Sequence, residues 1–161
     1  MNDFNDLPDW DDNLKDPDEE GEEWKPNPTK EACKALYQQW SVIMTMLKGG
    51  LNLDKEEKET EEAHSSYYKS MMVGDAYEVA AKIRSSEAGG IYVIRMENAS
   101  IIRKNAQAVQ SSMLVFMSEG EIDKEYGEII RNEIEIFKEL FRKWVNTFEK
   151  DEFTDEWGLF I

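Results

Sequence analysis

The chain has a single cysteine, Cys33, and a single histidine, His64, in 161 residues. One thiol excludes an intramolecular disulfide framework, and neither residue type reaches the number a Cys/His zinc site needs. Di-iron carboxylate bundles use two Glu-x-x-His units, and only Glu61-x-x-His64 occurs here. Basic residues are also scarce: 19 Lys+Arg face 35 Asp+Glu, a formal net charge of −16. So acidic a surface repels phosphate backbones and anionic lipid, so neither nucleic acid nor membrane is expected as a partner. No stretch approaches the roughly 18 apolar residues that span a bilayer. Residues 1–28 lack the basic start and apolar centre of a secretory signal, and the expectation is a cytoplasmic protein. A Gly-rich phosphate loop and a Gly-x-Ser-x-Gly elbow are both missing.

What is present divides by composition. Residues 1–28 hold all four prolines and eleven acids against Lys15 and Lys25, with few aliphatics and no helical or alternating period. Such a segment cannot offset its own ordering entropy, and it reads as an extended or disordered acidic arm. The run 54–62 is again acidic, whereas 63–118 carries six bases and four acids. Weak, salt-sensitive attraction would therefore fold the arm back over the middle of the chain.

From Thr29 onward the apolar residues recur at steps of three and four. Cys33, Leu36, Trp40, Ile43 and Leu47 form one face of a first helix, opened by Asn27-Pro28 and stopped at Gly49-Gly50. A second runs from Asp54 to about Ser86 with Tyr68, Met72, Ala76, Val79 and Ile83 inward and Gly74 as a close-approach or bend position. A third covers Ile91–Met117, its β-prone start Ile91–Ile94 kept helical because the same apolar phase continues to Phe116. The fourth, Ile122–Lys150, places Tyr126, Ile130, Ile134, Phe137, Phe141, Trp144 and Phe148 in a stripe widened by Ile129, Ile136 and Leu140. Short connections favour antiparallel neighbours, so the expected fold is all-α, an up-down-up-down four-helix bundle over 29–150. Residues 151–161 form a tail whose Trp157, Leu159 and Phe160 pack across the bundle mouth or into a partner.

Two groups of residues stand out as candidate sites. On a helical wheel Asn98 and Asn105 share the apolar side of the third helix, and Glu133 falls on that of the fourth. Counting from the turn at 119–120 puts Asn105 and Glu133 at one level, with Tyr68 nearby and Arg95 two turns away. Buried polar groups need partners, so these five fix helix register or line a small polar cavity. The second group is aromatic: Trp10 and Trp24 among the acids of the arm, and Trp157 and Phe160 in the tail. An aromatic anchor in an acidic surround suits recognition of a basic protein surface.

All-α nucleoside triphosphate pyrophosphohydrolases hold Mg²⁺ with an E-E-x-x-E unit followed by E-x-x-D on helices. Here Glu19-Glu20-Gly21-Glu22-Glu23 lies in the arm and Glu152-Phe153-Thr154-Asp155 at the opposite end, so no family is assigned. With no complete catalytic set, no cofactor and no metal site are expected. The reading is a non-enzymatic acidic interaction module, such as an adaptor, inhibitor or immunity-type protein, for a partner with a basic surface. The alternative is a metal- or small-ligand-binding bundle, including an Mg-dependent hydrolase acting through acids such as Glu133. Self-association is compatible with either.

Overall fold

A computed structural model describes residues 7–12, 25–53, 63–87 and 90–161. Four helices account for most of them: α1 (Pro28–Leu51), α2 (Ala63–Ser85), α3 (Tyr92–Ser118) and α4 (Lys124–Val145). There is no strand among the described residues, and Ile91–Ile94 enters α3 as its cap and first turn. None of the described helices is long and apolar enough to cross a membrane.

The helix ends follow local chemistry. Asn27 caps α1 by accepting the Lys30 amide, with Pro28 in the first turn where no amide hydrogen is needed. Gly49-Gly50 does not stop this helix; it continues to Leu51 and ends on Asn52, whose φ of 51° is left-handed. Gly50 serves the neighbouring helix instead. A Cβ on Gly50 would lie 2.5 Å from Cε1 of Tyr126, so the Tyr126 ring occupies the room that glycine leaves. Gly74, by contrast, has nothing within 4 Å of such a Cβ and marks no close approach. α4 begins two residues later than the apolar period implies because the Asp123 carboxylate takes the Tyr126 amide. It ends at Val145, where the Thr147 and Phe148 amides turn back to the carbonyls of Trp144 and Val145. α3 has no cap of its own: the carboxylate of Asp151, beyond α4, accepts the Tyr92 amide at 2.7 Å.

Each helix packs on two others, α1 and α3 each on α2 and α4, and among the described residues the backbones of the diagonal pairs do not approach one another closely. Direction follows from the cross-links. Trp40 Nε1 donates to the Ala76 carbonyl and Cys33 Sγ to that of Ile83, so α1 and α2 run oppositely. Thr29 reaches Thr147 while Gln39 reaches Glu133, which makes α1 and α4 antiparallel. Gln110 bonds Arg131 and Glu135 across α3 and α4. The result is the square up-down-up-down bundle that the apolar period predicts.

Its interior is filled by Trp40, Ile43, Leu47, Val79, Ile102, Val109, Ile130, Phe137 and Trp144, all without solvent contact apart from Phe137 at 2 %. Each contributes about 1.5–3 kcal/mol relative to exposure. The Trp40 and Phe137 rings meet at 4.8 Å across the α1/α4 seam. Of the three residues expected to widen the α4 stripe, Leu140 packs against the core, whereas Ile129 and Ile136 are 43 % and 49 % exposed. Two neighbours in a square claim two adjoining flanks of a helix, and the two isoleucines fall outside both.

Candidate functional site

The five residues expected to form one polar group are not brought together. Asn105, only 1 % exposed, donates from Nδ2 to Oε2 of Glu78 at 2.7 Å, which holds it in the α2/α3 seam. Glu133 accepts from Gln39 Nε2 at its carboxylate (2.7 Å) and at its backbone carbonyl (3.0 Å), in the opposite α1/α4 seam. Asn98 is buried on α3, and the Arg95 guanidinium lies 5.9 Å from the centre of the Phe148 ring. Tyr68, expected inside, is 44 % exposed and packs its ring edge-on to Tyr67. A wheel reports which side of a helix is apolar, but in a square that side serves two neighbours. Asn105 and Glu133 turn to different partners, Glu78 and Gln39.

A polar cluster that the sequence pattern does not reveal sits where α1 begins and α2 ends. Cys33 and Ser86 are fully buried and Glu87 is 5 % exposed. Ser86 Oγ donates to the Ile83 carbonyl and lies 3.7 Å from Cys33 Sγ. Burial, reinforced by the Glu87 carboxylate, pushes the Cys33 thiol far above its ordinary range, so it stays protonated and unreactive. Cys33 is legible as a core position on the α1 stripe; Ser86 and Glu87, just past a helix end, have no period to betray their burial. An open cleft of about 480 Å³ is lined by residues 25–29, Arg95 and residues 146–149. Among the described residues no group of three or more His, Cys, Asp or Glu side chains is placed to hold a metal ion.

The aromatic candidates have different environments. Trp24 lies outside the described residues, as do the Glu19–Glu23 unit and the acidic run 54–62. Trp10 belongs to the described part of the arm, 7–12, which lies on α1 rather than over the middle of the chain. It packs with Leu7 against the core, its ring 5.6 Å from that of Tyr37.

Trp157 is displayed. The tail folds into a hook closed by one carboxylate: Asp155 accepts the amides of Trp157 (3.0 Å), Leu159 (2.7 Å) and Phe160 (2.9 Å). Those bonds, Phe160 first among them, hold the Asp155 carboxyl below its usual range. Gly158 supplies the positive φ of 70° that the turn requires. Phe160 tucks in beside Tyr92 and Val93, Lys150 Nζ donates to the Ile161 carbonyl, and Asp151 caps α3. The hook is thereby fastened to the bundle end, and its free side carries Trp157 at 95 % exposure with Leu159, Ile161 and Phe153 also exposed. Glu152 and Glu156 flank them in solvent.

No protein-family model, no curated protein and no solved structure matches the chain.

Proposed function

We propose that the protein is a non-enzymatic interaction module whose Asp155-closed hook inserts Trp157 into an apolar pocket on a partner with a basic surface. The observation that carries this reading is a tryptophan held almost wholly in water by an ordered, side-chain-capped turn. Large apolar side chains in a monomer's surface mark contact sites when they are contiguous, and Trp157, Leu159 and Ile161 lie within five residues. Fixing the hook before contact lowers the ordering cost of binding. The charge supplies the second half: a net −16, with Glu152 and Glu156 beside the anchor, steers positively charged surfaces toward it and repels acidic ones.

The test is affinity capture with the full chain and with Trp157→Ala, followed by titration of the captured protein. A central Trp is worth about 2 kcal/mol or more, so Trp157→Ala should weaken binding roughly 30-fold or more. Parent binding should fall steeply with added NaCl. Equal affinity of the two chains, or a partner whose contact surface is acidic, refutes the reading.

A further inference from the structure

Segment 7–12, Leu-Pro-Asp-Trp-Asp-Asp, makes four contacts with one face of α1. The Tyr37 hydroxyl donates to the Pro8 carbonyl at 2.5 Å, and the Trp10 indole leans on the Tyr37 ring. Lys34 Nζ is 2.8 Å from Asp12 Oδ1, while Lys30 Nζ donates to the Asp12 backbone carbonyl at 3.1 Å. A shallow hollow of about 300 Å³ continues from this contact along Ser41, Met44 and Thr45. A backbone carbonyl read by a fixed hydroxyl, an aromatic laid on an aromatic and a carboxylate met by lysine together form the pattern of extended-peptide recognition.

Charge selects the same chemistry. Residues 29–53 carry Lys30, Lys34 and Lys48 against the single acid Glu31. This face is thus a local basic site in a negatively charged molecule. The docking is also shallow. The Lys34–Asp12 pair is exposed, a class worth about 0–1 kcal/mol. The Trp10 Nε1 hydrogen is shielded from solvent with no hydrogen-bond partner among the described residues, which costs about 1–3 kcal/mol.

We propose that this face of α1 is a docking groove for an extended acidic peptide bearing a tryptophan, filled in the resting chain by its own residues 7–12. A partner's acidic Trp peptide reaches Tyr37, Lys30 and Lys34 only by displacing that segment. The groove is separate from the Trp157 hook and of opposite charge preference, so the two surfaces stand or fall independently. A tethered segment acts at an effective concentration of order mM, so a segment that stays docked requires an affinity in trans of about mM or better.

The experiment uses full-length ¹⁵N-labelled chain, as parent and as Trp10→Ala/Asp12→Ala, titrated with an unlabelled peptide of residues 5–14. The spectrum of each chain also reports that the bundle is intact. The double variant should bind saturably with shifts centred on Tyr37 and Ser41, and the parent at least about twofold more weakly, as competition by a tethered segment at its effective concentration requires. Adding Lys34→Glu to the double variant should weaken binding several-fold. Absence of saturation at several mM, equal binding by the parent, or indifference to Lys34→Glu overturns the proposal. Sedimentation of the parent supplies the remaining arm: a concentration-dependent dimer abolished by Trp10→Ala would assign the groove to a second copy and overturn it as well.

Discussion

Replacing each of two helical glycines by alanine should move stability in opposite directions. Alanine in a helix interior is favoured over glycine by about 1 kcal/mol. At Gly74 that gain is unopposed, because nothing lies within 4 Å of the added Cβ and the site is exposed. Gly74→Ala should stabilise by about 0.5–1 kcal/mol and raise Tm by roughly 1–4 °C. At Gly50 the same methyl would sit 2.5 and 2.7 Å from Tyr126 Cε1 and Cδ1, and 2.8 Å from Ile122 Cδ1. Relaxed carbon contacts are about 3.5–4 Å, so the ring must shift by about 1 Å. Such overpacking costs about 1–3 kcal/mol. The propensity gain is reduced so near the helix end, and Gly50→Ala should destabilise by about 1 kcal/mol. Urea unfolding followed by far-UV circular dichroism, with unchanged m-values, measures both. A Gly50→Ala protein as stable as Gly74→Ala would refute the α1/α4 packing that places Tyr126 over Gly50.

Two further outcomes follow from the titration behaviour of single groups. Asp155 has its carboxyl held below the usual 3.8, so the unfolded tail binds more protons under acid conditions. Its support of the hook is complete above that usual value and lost as pH falls through the lower, folded one. The amide resonances of Trp157, Leu159 and Phe160 should collapse toward random-coil positions on acidification, and in Asp155→Ala at neutral pH; retention in Asp155→Ala would contradict the capping role. Cys33 is fully enclosed with its thiol pushed up, so a thiol reagent at neutral pH should react only at the rate of global unfolding. Rapid labelling of native protein would show that the end of the bundle opens.

Much of the fold was legible because the apolar residues repeat at helical steps without interruption. Cys33, Leu36, Trp40, Ile43 and Leu47 are all buried as the period requires. Helix ends were less legible, since they turn on single interactions. Gly50 reads as a stop in the chain but is a seat for Tyr126, and α3 owes its first capping bond to Asp151, 59 residues away. The candidate polar group failed for a geometric reason: a wheel fixes inside against outside but not which of two seams a residue enters. Hence Asn105 went to Glu78 and Glu133 to Gln39. The tail's Trp157 was visible as one of three large apolar residues near its end, whereas the three amides gathered by Asp155 had no signal beyond an Asp three residues before a glycine.

The hook is the element on which the functional reading depends, and the heteronuclear ¹⁵N NOE of residues 155–161 in the full chain tests it most directly. An ordered, Asp155-closed turn fastened by Phe160 and Lys150 should give values close to those of α3 and α4 at neutral pH. Values near zero or negative across the segment would mean an unstructured end, and a preformed Trp157 anchor would then be contradicted.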